Sequence, residues 1–74
     1  MNTEYERIVG QKIRELRAAR ELTQEQLAAQ LQVKNCDITR SALAKIEAGQ
    51  RHIYVDELKA LAEILRVTAD ELLG

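Results

Sequence analysis

Between Thr23 and Gly49 the chain reads TQEQLAAQLQVKNCDITRSALAKIEAG, a stretch that admits little besides a helix, a connection and a second helix. Thr23 and Gln26 have capping-box spacing, in which a hydroxyl and an amide satisfy orphan backbone donors at a helix start. The helix they open is expected from about Gln24 to Leu31, with Leu27, Ala28 and Leu31 on one narrow apolar face. Thr39 is a second N-cap, and Leu43 and Ile46 form an apolar pair one turn apart. Gly49 takes a left-handed conformation at little cost and stops this second helix, which is expected over about Arg40 to Ala48. In that register Arg40, Ser41 and Lys45 project away from the apolar pair, with small Ala42 and Ala44 between them.

A face of one guanidinium, one hydroxyl and one ammonium suits the edges of base pairs. Arg and Lys donate to guanine O6 and N7, Ser pairs with either kind of edge, and an alanine methyl lies against a thymine methyl. The plain alternative is a solvated helix surface.

The remaining elements are also helical by pattern. Thr3 and Glu6 have capping-box spacing and start a first helix at about Glu4, ending near Glu21; Tyr5, Val9, Ile13 and Leu16 form its apolar stripe, widened by Ile8. A fourth helix is expected from about Val55 to Leu65, burying Val55, Leu58, Leu61, Ala62 and Leu65. Asp56 and Glu57 suit its positive end, and Tyr54 stands where a Ser or Thr cap is usual. Thr68 and Glu71 repeat the capping-box spacing, and Leu72 and Leu73 end a short fifth helix. There is no proline, phenylalanine or tryptophan, so the core is expected to be aliphatic and the fold all-α.

With 74 residues, positions 1–74 form one expected domain, with room for one small core and no separate catalytic unit. No apolar run approaches membrane-spanning length and the start carries no signal-peptide pattern, so a cytosolic location is expected. Cys36 and His52 are the only residues of their kinds, too few for a structural zinc site or an internal disulfide, and an unremarkable thiol is the reading of Cys36. No glycine motif cradles a phosphate, no catalytic set is present, and no cofactor or metal is expected. The net charge of −1 divides into +2 over residues 1–51 and −3 over residues 52–74, so one side can still be locally basic. Gln50 and Arg51, just beyond the second helix of the central stretch, are placed by position and charge for phosphate contact; the alternative is an ordinary polar loop.

VGQKIRELRAARELTQEQLA (Val9 to Ala28), SALAKIEAG (Ser41 to Gly49) and LKALAEILRVTADELL (Leu58 to Leu73) resemble the helix-turn-helix family of phage lambda repressor and Cro. The shared elements are IRELR at Ile13 to Arg17, Gln24, the pair Leu27 and Ala28, and Ile46, Glu47 and Gly49. The resemblance implies a compact five-helix DNA-binding domain whose third helix enters the major groove of double-stranded DNA, in a sequence-specific transcriptional regulator of repressor type. On that reading Arg40, Ser41 and Lys45 read bases, Gln24, Gln50 and Arg51 position phosphates, and Arg17 pairs with Glu47. A homodimer on a palindrome is expected, with Leu72 and Leu73 either as the apolar contribution to its interface or, equally, as core residues. The chain departs from the family at the turn: Gln32 stands where the family has glycine, and KNCDI at Lys34 to Ile38 lengthens the connection by about five residues. Asn35 is expected to take the left-handed conformation there, with Val33 and Ile38 anchoring the loop. An enzyme is disfavoured for want of a catalytic set, and a protein-interaction module, antitoxin-like or adaptor in role, whose acidic C-terminal segment binds another chain, is the main alternative. Salt-dependent binding to duplex DNA separates the DNA-binding reading from both.

Overall fold

A computed structural model describes residues 3–74, with side chains from Glu4 onward, and every regular element in it is an α-helix. The order is α1 (Thr3–Ala19), α2 (Gln24–Val33), α3 (Arg40–Glu47), α4 (Val55–Leu65) and α5 (Ala69–Leu73). Hydroxyl caps start three of them. Thr23 Oγ1 accepts from the Gln26 N–H at 3.0 Å while Gln26 Oε1 accepts from the Thr23 N–H at 2.8 Å, completing the capping box of α2. Thr39 and Thr68 Oγ1 accept from the N–H groups of Ala42 and Glu71, at 3.1 and 3.0 Å. The Thr3 cap expected for α1 lies outside the described side chains.

One C-terminal device ends α1, α2, α3 and α4. A residue at positive φ follows each helix, Glu21 (57°), Asn35 (60°), Gly49 (73°) and Arg66 (59°), and turns the chain so that the next N–H bonds back five residues. These bonds run from Leu22 to Arg17, Cys36 to Leu31, Gln50 to Lys45 and Val67 to Ala62, at 2.8 to 3.1 Å. This is the Schellman arrangement, which also favours an apolar residue at the bonding position. Leu22, Cys36 and Val67 are accordingly half-buried, whereas Gln50 is exposed.

These ends correct two expected boundaries. α1 stops at Ala19 because Glu21 is left-handed, and α2 runs on to Val33 because its stop is Asn35. The extension turns Val33 outward, since two helical residues past buried Leu31 point to the opposite face; Val33 is 84% exposed and anchors nothing. Ile38 docks the connection, with half-buried Cys36 beside it. Ile38 is fully buried, and its carbonyl accepts from Gln32 Nε2 at 3.0 Å.

The core takes side chains from all five helices: Val9 and Ile13 from α1, Leu27, Ala28 and Leu31 from α2, Leu43 and Ile46 from α3, Leu61, Ala62, Ile64 and Leu65 from α4, and Leu72 from α5. One further expectation fails here. Val55 is 75% exposed because α4 turns its Glu57 and Ile64 side inward instead. Leu72 takes the core alternative, with no exposed surface, and of the terminal leucine pair only Leu73 reaches the outside. On α1, Val9 and Ile13 are buried while Tyr5 and Ile8 remain about half exposed.

Gly10 sets the contact between α1 and α3. A Cβ there would lie 2.1 Å from the Ile46 carbonyl oxygen and 3.1 Å from that of Glu47, so only a residue without a side chain lets α1 cross the end of α3. The crossing is clamped by charge. Arg17 Nε and Nη2 donate to Glu47 Oε2 and Oε1 at 2.7 and 3.1 Å, and its Nη1 donates to the Leu22 carbonyl at 2.7 Å. Gln24 Nε2, at the start of α2, donates to the same Glu47 Oε1 at 3.1 Å. The Glu47 side chain is 3% exposed, so three donors from two helices satisfy a carboxylate taken almost wholly out of water.

Two substitutions test this arrangement. Gly10→Ala gains about 1 kcal/mol of helix propensity in isolation, yet overpacking against backbone costs about 1–3 kcal/mol or more, so a net loss in denaturant midpoint is expected. Glu47→Ala leaves the Arg17 guanidinium without its partner and is expected to lower stability by about 3–5 kcal/mol, a loss that chemical denaturation measures directly.

Candidate functional site

α3 is held by one side and presents the other. Leu43, Ile46 and Glu47 face inward, while Arg40, Ser41 and Lys45 are exposed together with Ala48, and Ala44 is half-buried between them. The face therefore carries two cations and a hydroxyl on a low platform of methyl groups. Neither Arg40 nor Lys45 has an ion-pair partner among the described residues. An open hollow lined by Arg17, Thr23, Gln24, Glu25 and Arg40 lies between the N-termini of α2 and α3. Both helix dipoles present their positive ends there, beside the free Arg40 side chain.

Gln24 is half-buried at the edge of this hollow. Its amide gives one hydrogen to Glu47, which fixes the side chain and leaves a second N–H and the amide oxygen for another partner. The structure therefore gives Gln24 a role inside the protein that the sequence pattern does not disclose.

Gln50 is exposed, and Arg51, its side chain 26% exposed, is paired within the protein. Arg51 Nη1 and Nη2 donate to Glu57 Oε1 and Oε2 at 2.9 and 3.0 Å, and Nη1 also reaches the His52 carbonyl at 2.8 Å. The guanidinium lies 6.0 Å from the Tyr54 ring centroid. Glu57 Oε1 in turn accepts from the Tyr54 N–H at 3.0 Å, so the carboxylate supplies the start of α4 with the cap that Tyr54 itself does not. His52 Nδ1 sits against Glu6 of α1. Arg51 and His52 thus tie down the loop between α3 and α4. Glu57, three residues past the nominal cap position, carried the one signal of this arrangement in the sequence, the second half of a capping box.

Cys36 packs its half-buried thiol against the core at the end of α2. Burial pushes its pKa up, and the nearby carboxylates of Glu57 and Asp56 push the same way, so the reactive thiolate is disfavoured at neutral pH. Among the described residues no group of three His, Cys, Asp or Glu side chains is placed to hold a metal ion, and no helix is long and apolar enough to cross a membrane.

The Arg51–Glu57 pair has a pH signature. The hydrogen bonds from Arg51 hold the Glu57 carboxyl below the ordinary carboxylate range, against the opposing effect of burial. A carboxyl whose folded pKa is depressed stabilises the fold fully above its unfolded pKa of about 4.3 and loses that contribution as pH falls through the lower folded value. The stability gap between the wild type and Glu57→Gln should therefore be constant near neutrality and shrink below about pH 4.3. Thermal melts across that range measure it, and a gap independent of pH would remove the pair from the account.

Comparison with known proteins places this geometry. Residues 13–72 match the helix-turn-helix family. The chain is 41% identical over 65 residues to the HTH-type transcriptional activator BcrR of Enterococcus faecalis, covering 88% of this chain but only 29% of that protein. It is 31% identical over 67 residues to the control protein C.BamHI of Bacillus amyloliquefaciens, covering 89% of this chain and 76% of that one. The crystal structure of the DNA-binding domain of BldD superposes over the whole of both chains with a TM-score of 0.81 at 26% identity. Of these, BcrR is named a transcriptional activator, C.BamHI a control protein, and the BldD fragment a DNA-binding domain. The five-helix fold, the hydroxyl-capped α2 and α3 and the matched sequence lead to one conclusion, that this chain belongs to the helix-turn-helix family of DNA-binding transcription regulators.

Proposed function

We propose that α3 lies in the major groove of duplex DNA and that the chain recognises a specific operator. The observation that carries this is the exposed face of α3, where Arg40 and Lys45 have no ion-pair partner among the described residues and Ser41 lies between them. Arg40 and Lys45 suit guanine edges and Ser41 suits either kind of pair, while half-buried Ala44 and exposed Ala48 keep the platform low enough for close approach. Gln24, oriented by Glu47, and exposed Gln50 are the backbone-positioning groups. Arg51 holds the loop through Glu57 and contributes to positioning only indirectly.

A single recognition helix meets too few base pairs for genomic selectivity, so we infer a homodimer on a palindromic site. With Leu72 in the core, the apolar surface left near the chain end for pairing is Leu73, which lines a shallow groove of about 140 Å³ together with Tyr5, Glu6, Val9, Ile53 and Leu58. Repression in the cytosol is the effect we assign, because blocking a promoter needs operator occupancy alone, whereas activation needs a further productive contact with the transcription machinery. BcrR is named an activator, so a reporter carrying the operator upstream of or across a promoter decides the sign for this chain.

The test begins with selection of bound sequences from random duplex DNA and proceeds to titration of variants on the selected and a scrambled duplex. Arg40→Ala and Lys45→Ala are each expected to cost about 1–3 kcal/mol on the selected duplex and to relax preference at one position. Stoichiometry in the same titration should be two chains per duplex. Equal losses on both duplexes would show that α3 is not the reader, and salt-independent or absent binding would favour a protein-interaction module instead.

A further inference from the structure

At the junction of α3 and the α3–α4 loop, the cation that the sequence offers for the DNA backbone is Arg51, and the structure spends both of its terminal nitrogens on Glu57. The next residue, His52, sits against Glu6. The loop itself therefore holds no uncompensated cation. A different one stands over it. The Arg7 stem runs across Gly49, so close that a Cβ on that glycine would meet Arg7 Cα at 2.7 Å, Cβ at 2.9 Å and Cγ at 3.2 Å. Gly49 lies between Ala48 and Gln50, both exposed at the end of α3. Arg7 is itself exposed, and it forms no ion pair among the described residues.

We propose that Arg7, carried to this flank by the packing of α1 on Gly49, is a DNA phosphate contact and supplies the backbone charge that Arg51 withholds. The proposal rests on the reading of α3 as the major-groove helix. A long side chain with its stem laid on protein and its charged head in water suits such a task, because a phosphate replaces only water at the guanidinium. Gly49 then serves two ends at once. Its positive φ of 73° stops α3, and its missing side chain leaves the space that brings Arg7 to the edge of the reading face. The contact carries no sequence information of its own and acts on all duplexes alike.

The experiment compares the wild type with Arg7→Gln, Arg7→Met, Arg7→Lys, Arg51→Gln and Lys59→Gln, measuring affinity for the selected and scrambled duplexes at several salt concentrations. Melting temperatures are recorded alongside. Arg7→Gln should reduce the magnitude of the slope of log K against log salt by about 0.9, equally on both duplexes, so that its disadvantage relative to wild type changes by about threefold between about 50 and 200 mM salt. Arg7→Met keeps the apolar stem over Gly49 and removes only the charge, so it should do the same even if the shorter amide disturbs the packing. Arg7→Lys should keep the wild-type slope. Arg51→Gln should lower the melting temperature and leave the slope unchanged, and Lys59→Gln, on the exposed side of α4, controls for net charge. If the wild type binds with a salt-dependent affinity but Arg7→Met retains its full slope, or Lys59→Gln loses as much, the proposal is overturned and the major-groove reading survives. Loss confined to the selected duplex would overturn it too, since that marks a base contact. A wild type without salt-dependent binding to any duplex overturns both.

Discussion

The Glu47 carboxylate is the point at which α1, α2 and α3 are joined. It ends α3, accepts two bonds from Arg17 of α1 and one from Gln24 at the start of α2, and is nearly inaccessible to water. A charge so placed is tolerable only because every bond comes from a fixed donor, two of them from a cation in the forked geometry that matches a carboxylate. The consequence is directional. α2 and α3 cannot change their relative angle without stretching bonds to the same two oxygens, and α1 cannot slide because Gly10 locks its crossing against the α3 carbonyls. The outward face of α3 is thus presented by a rigid support, which is what the proposed reading of base edges would require.

Charge in this small protein is divided between two uses. Arg17, Lys34 and Arg51 pair with Glu47, Glu63 and Glu57 and hold elements together, whereas Arg7, Arg40 and Lys45 are left without internal partners among the described residues. The pairs differ in worth. Lys34–Glu63 is exposed on both sides and contributes little, while the Arg17 and Arg51 pairs are shielded from solvent and have the bidentate geometry that makes an ion pair specific. The net charge of −1 is a poor guide to the field at α3, because residues 1–51, which include α3, carry +2 and residues 52–74 carry −3.

The connection between α2 and α3 fits this geometry for a simple reason. It closes α2 after Val33 with the left-handed Asn35 and returns the chain to the core at Ile38, directly before the Thr39 cap. The return to a fully buried isoleucine sets where α3 begins, and the superposition on the BldD domain over the full chain is consistent with that. Cys36 belongs to this device as the half-buried residue that follows the left-handed one. Three of the four left-handed positions are occupied by residues other than glycine, each at a conformational cost of about 1 kcal/mol that the back-bonded carbonyls and the apolar contacts offset.

The sequence by itself determined the five helices and most of their ends. Thr23, Thr39, Thr68 and Gly49 act on backbone groups within a turn of themselves, and the spacing of Leu27 and Leu31 or Leu43 and Ile46 depends only on helical period, so these signals are complete before any tertiary contact forms. Family resemblance added the pairing of Arg17 with Glu47, which are 30 residues apart and which no local pattern connects. The tertiary structure decided the rest. Gly10 is unremarkable until α3 crosses it, Val55 is left exposed and Leu72 assigned to the core once α4 and α5 settle, and Arg51 is brought to Glu57 by the path of a loop. Arg7 is the extreme case: nothing in its neighbours along the chain marks it, and its place beside α3 exists only because Gly49 has no side chain. Local signals bias the backbone over a few residues, whereas which side chains meet, and which charges remain free, depends on distances that only the packed fold defines.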